Sequence, residues 1–503
     1  MSNHLFDTLT AFIPDLEKDF LKNPDGSVLT YKEMLARSSQ YAGALVKLGI
    51  KPDDRVAVQV EKSSDALMLY LGVIRAGAVF VPLNSAYTPS EMSFFISDAE
   101  PALFVCDPVN ADALAGIAQK EGVKLHTLDA EGRGSLSTLA DSMPTSFDTR
   151  PRDGENLAAI LYTSGTTGRS KGAMLSHENL VSNSLTMKKV WRFTEDDVLL
   201  HAMPIFHAHG LFVATNCLMM AGGSLLFLPK FDLEQVLELL PKATAMMGVP
   251  TFYTRLLGSD AFTRDLVRHM RVFISGSAPL SAEVHKEFAQ RTGHSIIERY
   301  GMTETSMNTS NPYDGERRPG SVGFPLPGVG LRIVDEKTGR EVSPGEVGII
   351  EVKGPNVFQG YWRMPAKTAQ EFRVDGYFIT GDMGRVDEGG YISIVGRAKD
   401  LIISGGFNVY PAEVEAVLDS FEGVAESAVI GVPHPDFGEG VIAVLAAKPG
   451  ETLSDDAIRA SLTNQLAKFK QPKKFHVLDA LPRNTMGKIQ KNVLRERYQK
   501  DFA

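Results

Sequence analysis

Short apolar runs rich in Val, Ile, Leu and Phe alternate, over the first 300 residues, with segments whose apolar positions recur every three or four residues. Residues 55–60, 79–82, 102–106, 124–128 and 157–161 read as strands, and 30–48 and 65–76 as helices. Thr30 with Glu33 three residues on is a helix start, and Gly49 and Gly77 are stops. Strands separated by helices pair in parallel through crossovers, so the pattern demands an α/β fold. The alternation continues with a helix from Ser176 to about residue 189 and strands at 197–202, 224–228, 245–249, 271–275 and 295–300. From about residue 320 the texture turns to short strands and tight turns. After residue 396 a new β-α-β alternation occupies 414–419, 425–432, 441–447, 455–467 and 474–477. The expectation is a large N-terminal domain, 1–396, of parallel-sheet α/β subdomains with a small β-rich subdomain at about 320–396, followed by a small α+β domain at 397–503. A chain of 503 residues exceeds what one core organises.

A net charge of −9 argues against a general nucleic-acid binder, although residues 468–500 carry ten Lys and Arg against two Asp and Glu. Cys106 and Cys217 are the only cysteines, too few for a disulfide framework or a thiolate metal site. The N-terminus has no basic stretch followed by an apolar core, and no apolar run approaches the ~20 residues that span a bilayer. A cytoplasmic protein with no membrane partner is expected.

Polar loops follow several of the strands. The stretch YTSGTTGRSKG, 162–172, holds three glycines, six hydroxyls and two cations after a buried strand, a composition suited to cradling polyphosphate. Gly165 and Lys171 have Walker A spacing, but Ser170 and Gly172 replace the glycine and hydroxyl of that motif, which argues against an ordinary P-loop phosphotransferase. SGSAPL, 275–280, and YGMTE, 300–304, end two more strands, and ligands of open parallel sheets lie beyond such ends. MPIFHAHGL, 203–211, adds His207 and His209 to His201. No carboxylate or cysteine completes a metal site there, so a substrate-facing or packed histidine is favoured over a ligand. Asp382, in YFITGDMG, is placed where a carboxylate can take two ribose hydroxyls.

The order of these stretches, with RAGAVFVPLN (75–84), GRAKDLIISGGFNVYP (396–411) and NTMGK (484–488), resembles the adenylate-forming superfamily of acyl-CoA synthetases, adenylation domains and beetle luciferases over nearly the whole chain. That resemblance implies an enzyme that joins a carboxylic acid to a thiol in two steps, through an acyl-adenylate, with ATP and coenzyme A as co-substrates and Mg²⁺ as cofactor. It implies that Ser164, Gly165, Thr166, Thr167, Gly168 and Lys171 hold the β and γ phosphates, and that Thr163 and Glu304 position Mg²⁺. Gly276, Ser277, Ala278 and Tyr300 would form the adenine slot, Gly301 and Thr303 would also bind ATP, and Asp382 and Arg397 would hold the ribose. Lys488 would bridge the attacking carboxylate and the α-phosphate. The resemblance further implies a C-terminal domain that swings about Lys399 and brings Gly405 and Gly406 to the thiol tunnel. A catalytic lysine in an exposed basic stretch is also a target for acylating and deacylating enzymes, so Lys488 is a candidate regulatory site.

Arg299, immediately before Tyr300, departs from the small or apolar residue common there in the family. A guanidinium in an acyl pocket asks for a second carboxylate, and its planar fork suits two-point contact. ERYGMTE in this form resembles the malonyl-CoA synthetases, with His207 and Ser277 as further malonate contacts, and methylmalonate is expected to fit as well. The alternatives are Arg299 paired outward with Glu298 or Glu304 in a synthetase for a short monocarboxylate or aryl acid, and a stand-alone enzyme that loads a carrier.

Overall fold

The strands and helices read from the sequence close into two extended sheets with helices shared between them. The computed structural model describes residues 2–163, 170–404, 407–463, 465–484 and 487–502. A seven-stranded sheet runs in the order Gly360–Tyr361, Lys171–Ser176, Leu157–Thr163, Val79–Pro82, Arg55–Gln59, Leu103–Cys106, Lys124–Thr127. The five strands from Leu157–Thr163 onward are parallel, and the other two are added antiparallel at one edge. A nine-stranded sheet contains Ile297–Met302, Val272–Ser275, Ala245–Gly248, Val198–His201 and Ser224–Phe227 as parallel neighbours. Its edges carry the antiparallel pairs with Ser306–Ser310 and with Val28–Thr30.

Between the sheets lie the helices Tyr31–Lys47 and Ser64–Arg75. The first is entered by a capping box in which Thr30 and Glu33 satisfy each other's backbone N–H groups, as the sequence predicts. In the second, every residue from Ala66 to Arg75 is buried, the signature of a helix enclosed on all sides. Close approach of the two helices requires a glycine: a Cβ on Gly72 would stand 2.7 Å from Cβ of Tyr41 and 3.1 Å from the Ala42 nitrogen. Gly72→Ala is therefore expected to cost about 1 to 3 kcal/mol by overpacking. Gly116→Ala, at a helical position with open space around it, should be neutral or stabilising. Urea unfolding of the two variants checks the contrast.

A four-stranded antiparallel sheet, Gly330–Val334, Gly348–Lys353, Phe378–Val386 and Ile392–Arg397, supplies the expected β-rich part. The C-terminal sheet is separate and has its own apolar clusters on both faces. Its order is helix Pro411–Asp419, strands Val424–His434 and Gly438–Ala447, helix Asp455–Thr463 and strand Lys474–Leu478. The sequence alternation read as β-α-β is corrected in part: the two long strands pair antiparallel in a hairpin with no crossover helix between them. Only three residues separate them, and Gly438 closes that turn at a left-handed φ of 73°. No helix among the described residues is long and apolar enough to cross a membrane.

Candidate active site

The strand Lys171–Ser176 was not legible in the sequence. It returns antiparallel beside Leu157–Thr163, with Thr163 opposite Lys171. The loop at 164–169 therefore joins two strands of a hairpin, whereas a Walker A loop opens a helix. Gly172 is needed for this return, because a Cβ there would meet Cγ2 of Ile160 at 2.8 Å. Ser164, Gly165, Thr166, Thr167 and Gly168 lie outside the described residues, as do Gly405 and Gly406.

What frames that loop is polar and converging. Glu304 is buried, and its Oε1 accepts from Tyr361 Oη at 3.0 Å and stands 3.5 Å from Thr163 Oγ1. Lys171 lies 4.1 Å from the Tyr361 ring centroid and 3.8 Å from a Glu371 carboxylate oxygen. Burial lowers the Lys171 pKa, and Glu371 and Glu304 work against that shift. Tyr361 and Glu371 carry no motif signal and come from a segment nearly 200 residues downstream.

On the far side of the cleft Asp382 is buried between two partners. Tyr300 Oη donates to its Oδ2 at 2.6 Å, and Arg397 Nε lies 2.7 Å from its Oδ1. The Asp382 backbone N–H donates to Thr380 Oγ1 at 3.0 Å, fixing the turn. Gly301 permits the chain to fold back at this point: its Cβ would fall 1.9 Å from the Ser306 carbonyl oxygen. Thr303 and Ala278 are half-buried in the same turns.

Arg299 occupies the other face of its strand. It is 3% exposed, and its Nε and Nη2 have no hydrogen-bond partner among the described residues. Alternation along a strand sends Glu298 to the opposite face. There Glu298 Oε1 accepts the Leu280 N–H at 3.3 Å, and burial pushes its carboxyl up to about 8. Neither Glu298 nor Glu304 forms an ion pair with Arg299 among the described residues. Burial with no nearby carboxylate pulls the Arg299 pKa down, a measure of how unfavourable that charge is unpaired. Gly276 lies directly against the guanidinium, since a Cβ there would stand 2.2 Å from Cζ of Arg299.

Two histidines share this space. His207 Nδ1 accepts the His209 backbone N–H at 3.3 Å. Burial, with Lys488 and Arg299 adding to it, holds the His207 pKa down to about 3. The ring is thus neutral, with its proton on Nε2 as a donor. His209 lies at the start of a π-helix, His209–Asn216, a feature frequent at functional sites. Its Nδ1 is 3.1 Å from Ser277 Oγ, and its buried Nε2 has no partner among the described residues. Ser277 has a left-handed φ of 70°, unusual without glycine. The sequence alone singles out His207 and Ser277 as acid contacts and marks His209 only as one of three neighbouring histidines. The i, i+2 spacing of His207 and His209 in one loop is the signal that would have included it.

Lys488 comes from the far end of the chain. A tight hairpin presents it: Asn484 N–H donates to the Lys488 carbonyl, and Lys488 N–H to Asn484 Oδ1, both at 2.9 Å. Lys488 is an exposed residue on the surface of its own turn, yet protein atoms crowd the ammonium closely enough to desolvate it. Burial and Arg397 lower its pKa, Asp382 and Glu304 raise it, and Arg299 lowers it further. Arg397, Asp382, Glu304 and Arg299 are thus the charges whose fields reach this ammonium. No cluster of three or more His, Cys, Asp or Glu side chains suited to hold a metal occurs among the described residues.

The profile of AMP-binding enzymes matches residues 14–362, and that of the AMP-binding enzyme C-terminal domain matches residues 413–488. A malonate–CoA ligase of Arabidopsis thaliana is 34% identical over 475 residues, covering 88% of this chain and 78% of that protein. A long-chain-fatty-acid–CoA ligase of Bacillus subtilis is 34% identical over 510 residues, covering 94% and 90%. The crystal structure of ATP-bound MatB from Rhodopseudomonas palustris superposes with a TM-score of 0.98 at 57% identity over 100% of both chains. With apo MatB the TM-score is 0.87. The chain belongs to the AMP-binding enzymes, and within them to the AMP-forming acyl-CoA ligases.

Proposed function

We propose that this enzyme ligates malonate to coenzyme A through malonyl-adenylate, releasing AMP and pyrophosphate, and that methylmalonate also serves. The observation that carries the choice of acid is Arg299, buried with two guanidinium nitrogens unpartnered. The shared identity with both a malonate and a long-chain ligase does not discriminate between acids. Arg299 supports a dicarboxylate, because an alkyl chain there would leave the charge desolvated and alone. A distal carboxylate would pair with it in two-point contact, with His207 Nε2–H as a second donor.

In the first step a carboxylate oxygen of the acid attacks the α-phosphorus of ATP, forming an O–P bond as the bond to pyrophosphate breaks. Lys488 neutralises charge on the attacking carboxylate and the α-phosphate oxygens. Asp382 and Arg397 hold the ribose, Tyr300 flanks the adenine beside Gly276, Ser277 and Ala278, and Lys171 meets the β and γ phosphates. Thr163 and Glu304 fit a magnesium ion: one hydroxyl and one carboxylate 3.5 Å apart are hard oxygens that leave most of an octahedron to phosphate and water. Such an ion would neutralise charge on the phosphates. In the second step the coenzyme A thiolate attacks the acyl carbon, a C–S bond forms, and AMP leaves with the electrons of the C–O bond.

The C-terminal domain, from residue 397, swings between the steps about Lys399. That residue lies in the single turn Ala398–Asp400, between the last strand of the four-stranded sheet and Ile402–Ser404 of the C-terminal sheet. A panel of acids assayed for coenzyme A-dependent pyrophosphate release tests the reading. Malonate should lead, methylmalonate should follow within the ~1–3 kcal/mol that one methyl group is worth, and propionate and butyrate should trail. A monocarboxylate in first place would overturn it.

A further inference from the structure

Outside this machinery Lys62 is also buried with no carboxylate partner among the described residues. Lys62 follows the strand Arg55–Gln59 and is 8% exposed. Its Nζ lies 2.8 Å from His201 Nδ1, 2.8 Å from the His201 carbonyl oxygen and 2.6 Å from the Leu228 carbonyl oxygen. The Phe227 ring lies beneath it, 4.1 Å to the centroid. An ammonium has three N–H donors, and three acceptors meet them. A neutral apolar side chain would fill this space without the cost of desolvating a charge, but it would leave His201 Nδ1 with no donor.

His201 in turn is fixed at both nitrogens. Its Nε2 lies 2.8 Å from the Gly210 carbonyl oxygen. A carbonyl only accepts, so Nε2 carries the proton and Nδ1 offers its lone pair to Lys62. Lys62 thereby selects the tautomer that can hold Gly210. The same Gly210 carbonyl also accepts from Thr215 Oγ1 at 2.9 Å, which ties down the opening of the π-helix. Gly210 is pressed against its own loop, where a Cβ would stand 2.1 Å from the Pro204 carbonyl oxygen. The residue before Gly210 is His209, bonded to Ser277, and the residue before Ser277 is Gly276, which packs on Arg299.

We propose that Lys62 and His201 form a buried positioning pair that sets the acid-side loop: Lys62 orients His201, His201 holds Gly210, and the π-helix start then places His209, Ser277 and His207 around Arg299. Lys62 sits in the connection after a seven-stranded-sheet strand, whereas His201 ends one nine-stranded-sheet strand and Leu228 directly follows another. The pair therefore locks the two sheets at the pocket. Neither residue touches the nucleotide-side groups Thr163, Glu304, Asp382 or Arg397. The inference rests on the assignment of the Arg299 pocket to the acid.

The test uses the full-length enzyme and whichever acid the wild type turns over best, so that a preference for a monocarboxylate would sink the malonate reading and leave this question open to the same measurement. In Lys62→Met, kcat/KM for the acid should fall by about tenfold or more, the scale of loss from misplaced contact groups, while KM for ATP changes little. His201→Asn keeps an acceptor for Lys62 but loses the bond to Gly210, and should show the same split. His201→Gln places an amide N–H where Nε2 was and should recover most of the loss. If Lys62→Met fails to fold, the Asn and Gln variants carry the comparison. Parallel losses for acid and ATP, unchanged kinetics in folded variants, or equal behaviour of Asn and Gln would each overturn the proposal.

Discussion

Replacing Arg299 with Leu should invert the acid preference of the enzyme. The guanidinium is buried with no carboxylate partner among the described residues, and Gly276 presses on it from one side. If it receives the distal carboxylate of malonate, its removal leaves that anion desolvated and unpaired. Breaking one side of a buried charge pair costs ~2–5 kcal/mol, roughly 30-fold to several thousandfold in kcat/KM. Propionate and butyrate carry no distal charge and should lose little or improve, because Leu removes the burden of an unpaired cation. ATP binding should stay near wild type, since Tyr300, Asp382 and Arg397 lie on the other side of the strand. The ratio of malonate to butyrate turnover, measured with ATP saturating, is the readout. A parallel decline of both acids would mean that Arg299 only supports the fold.

Lys488→Ala should separate the two half-reactions. The fields of Arg397, Asp382, Glu304 and Arg299 reach this lysine, and the proposed first step would develop charge beside it. Loss of a group that stabilises developing charge costs about a hundredfold to a thousandfold, so acid-dependent ATP–pyrophosphate exchange should collapse. Thioester formation from supplied malonyl-adenylate should be far less affected. Lys399→Pro should give the opposite pattern, because a fixed φ at the turn Ala398–Asp400 would hinder the swing proposed for the second step. Equal losses in both half-reactions for Lys488→Ala would show that the lysine does not act on adenylation alone.

Much of the molecule was local and therefore legible. The capping box at Thr30 and Glu33, the left-handed stops at Gly49 and Gly77, and the apolar runs that became parallel strands follow from side-chain geometry within a few residues. So did the polar loops at strand ends, and Arg299 as the one residue out of keeping with an acyl pocket. What only the tertiary structure decided depends on which distant segments share a surface. Gly172 sits against Ile160 because the chain after the phosphate loop turns back as a strand, and single-residue patterns could not distinguish that from a helix. The helix Ser64–Arg75 is enclosed on all sides because two sheets pack on it. Glu298 and Glu304, one and five residues from Arg299 in sequence, are committed to Leu280 and Tyr361 in space. Lys62 and His201 are 139 residues apart, and nothing in either neighbourhood announces the other. Sequence sets the menu of local conformations through sterics and hydrogen-bonding groups, whereas the partner of a buried charge is fixed only when the sheets close and solvent is excluded.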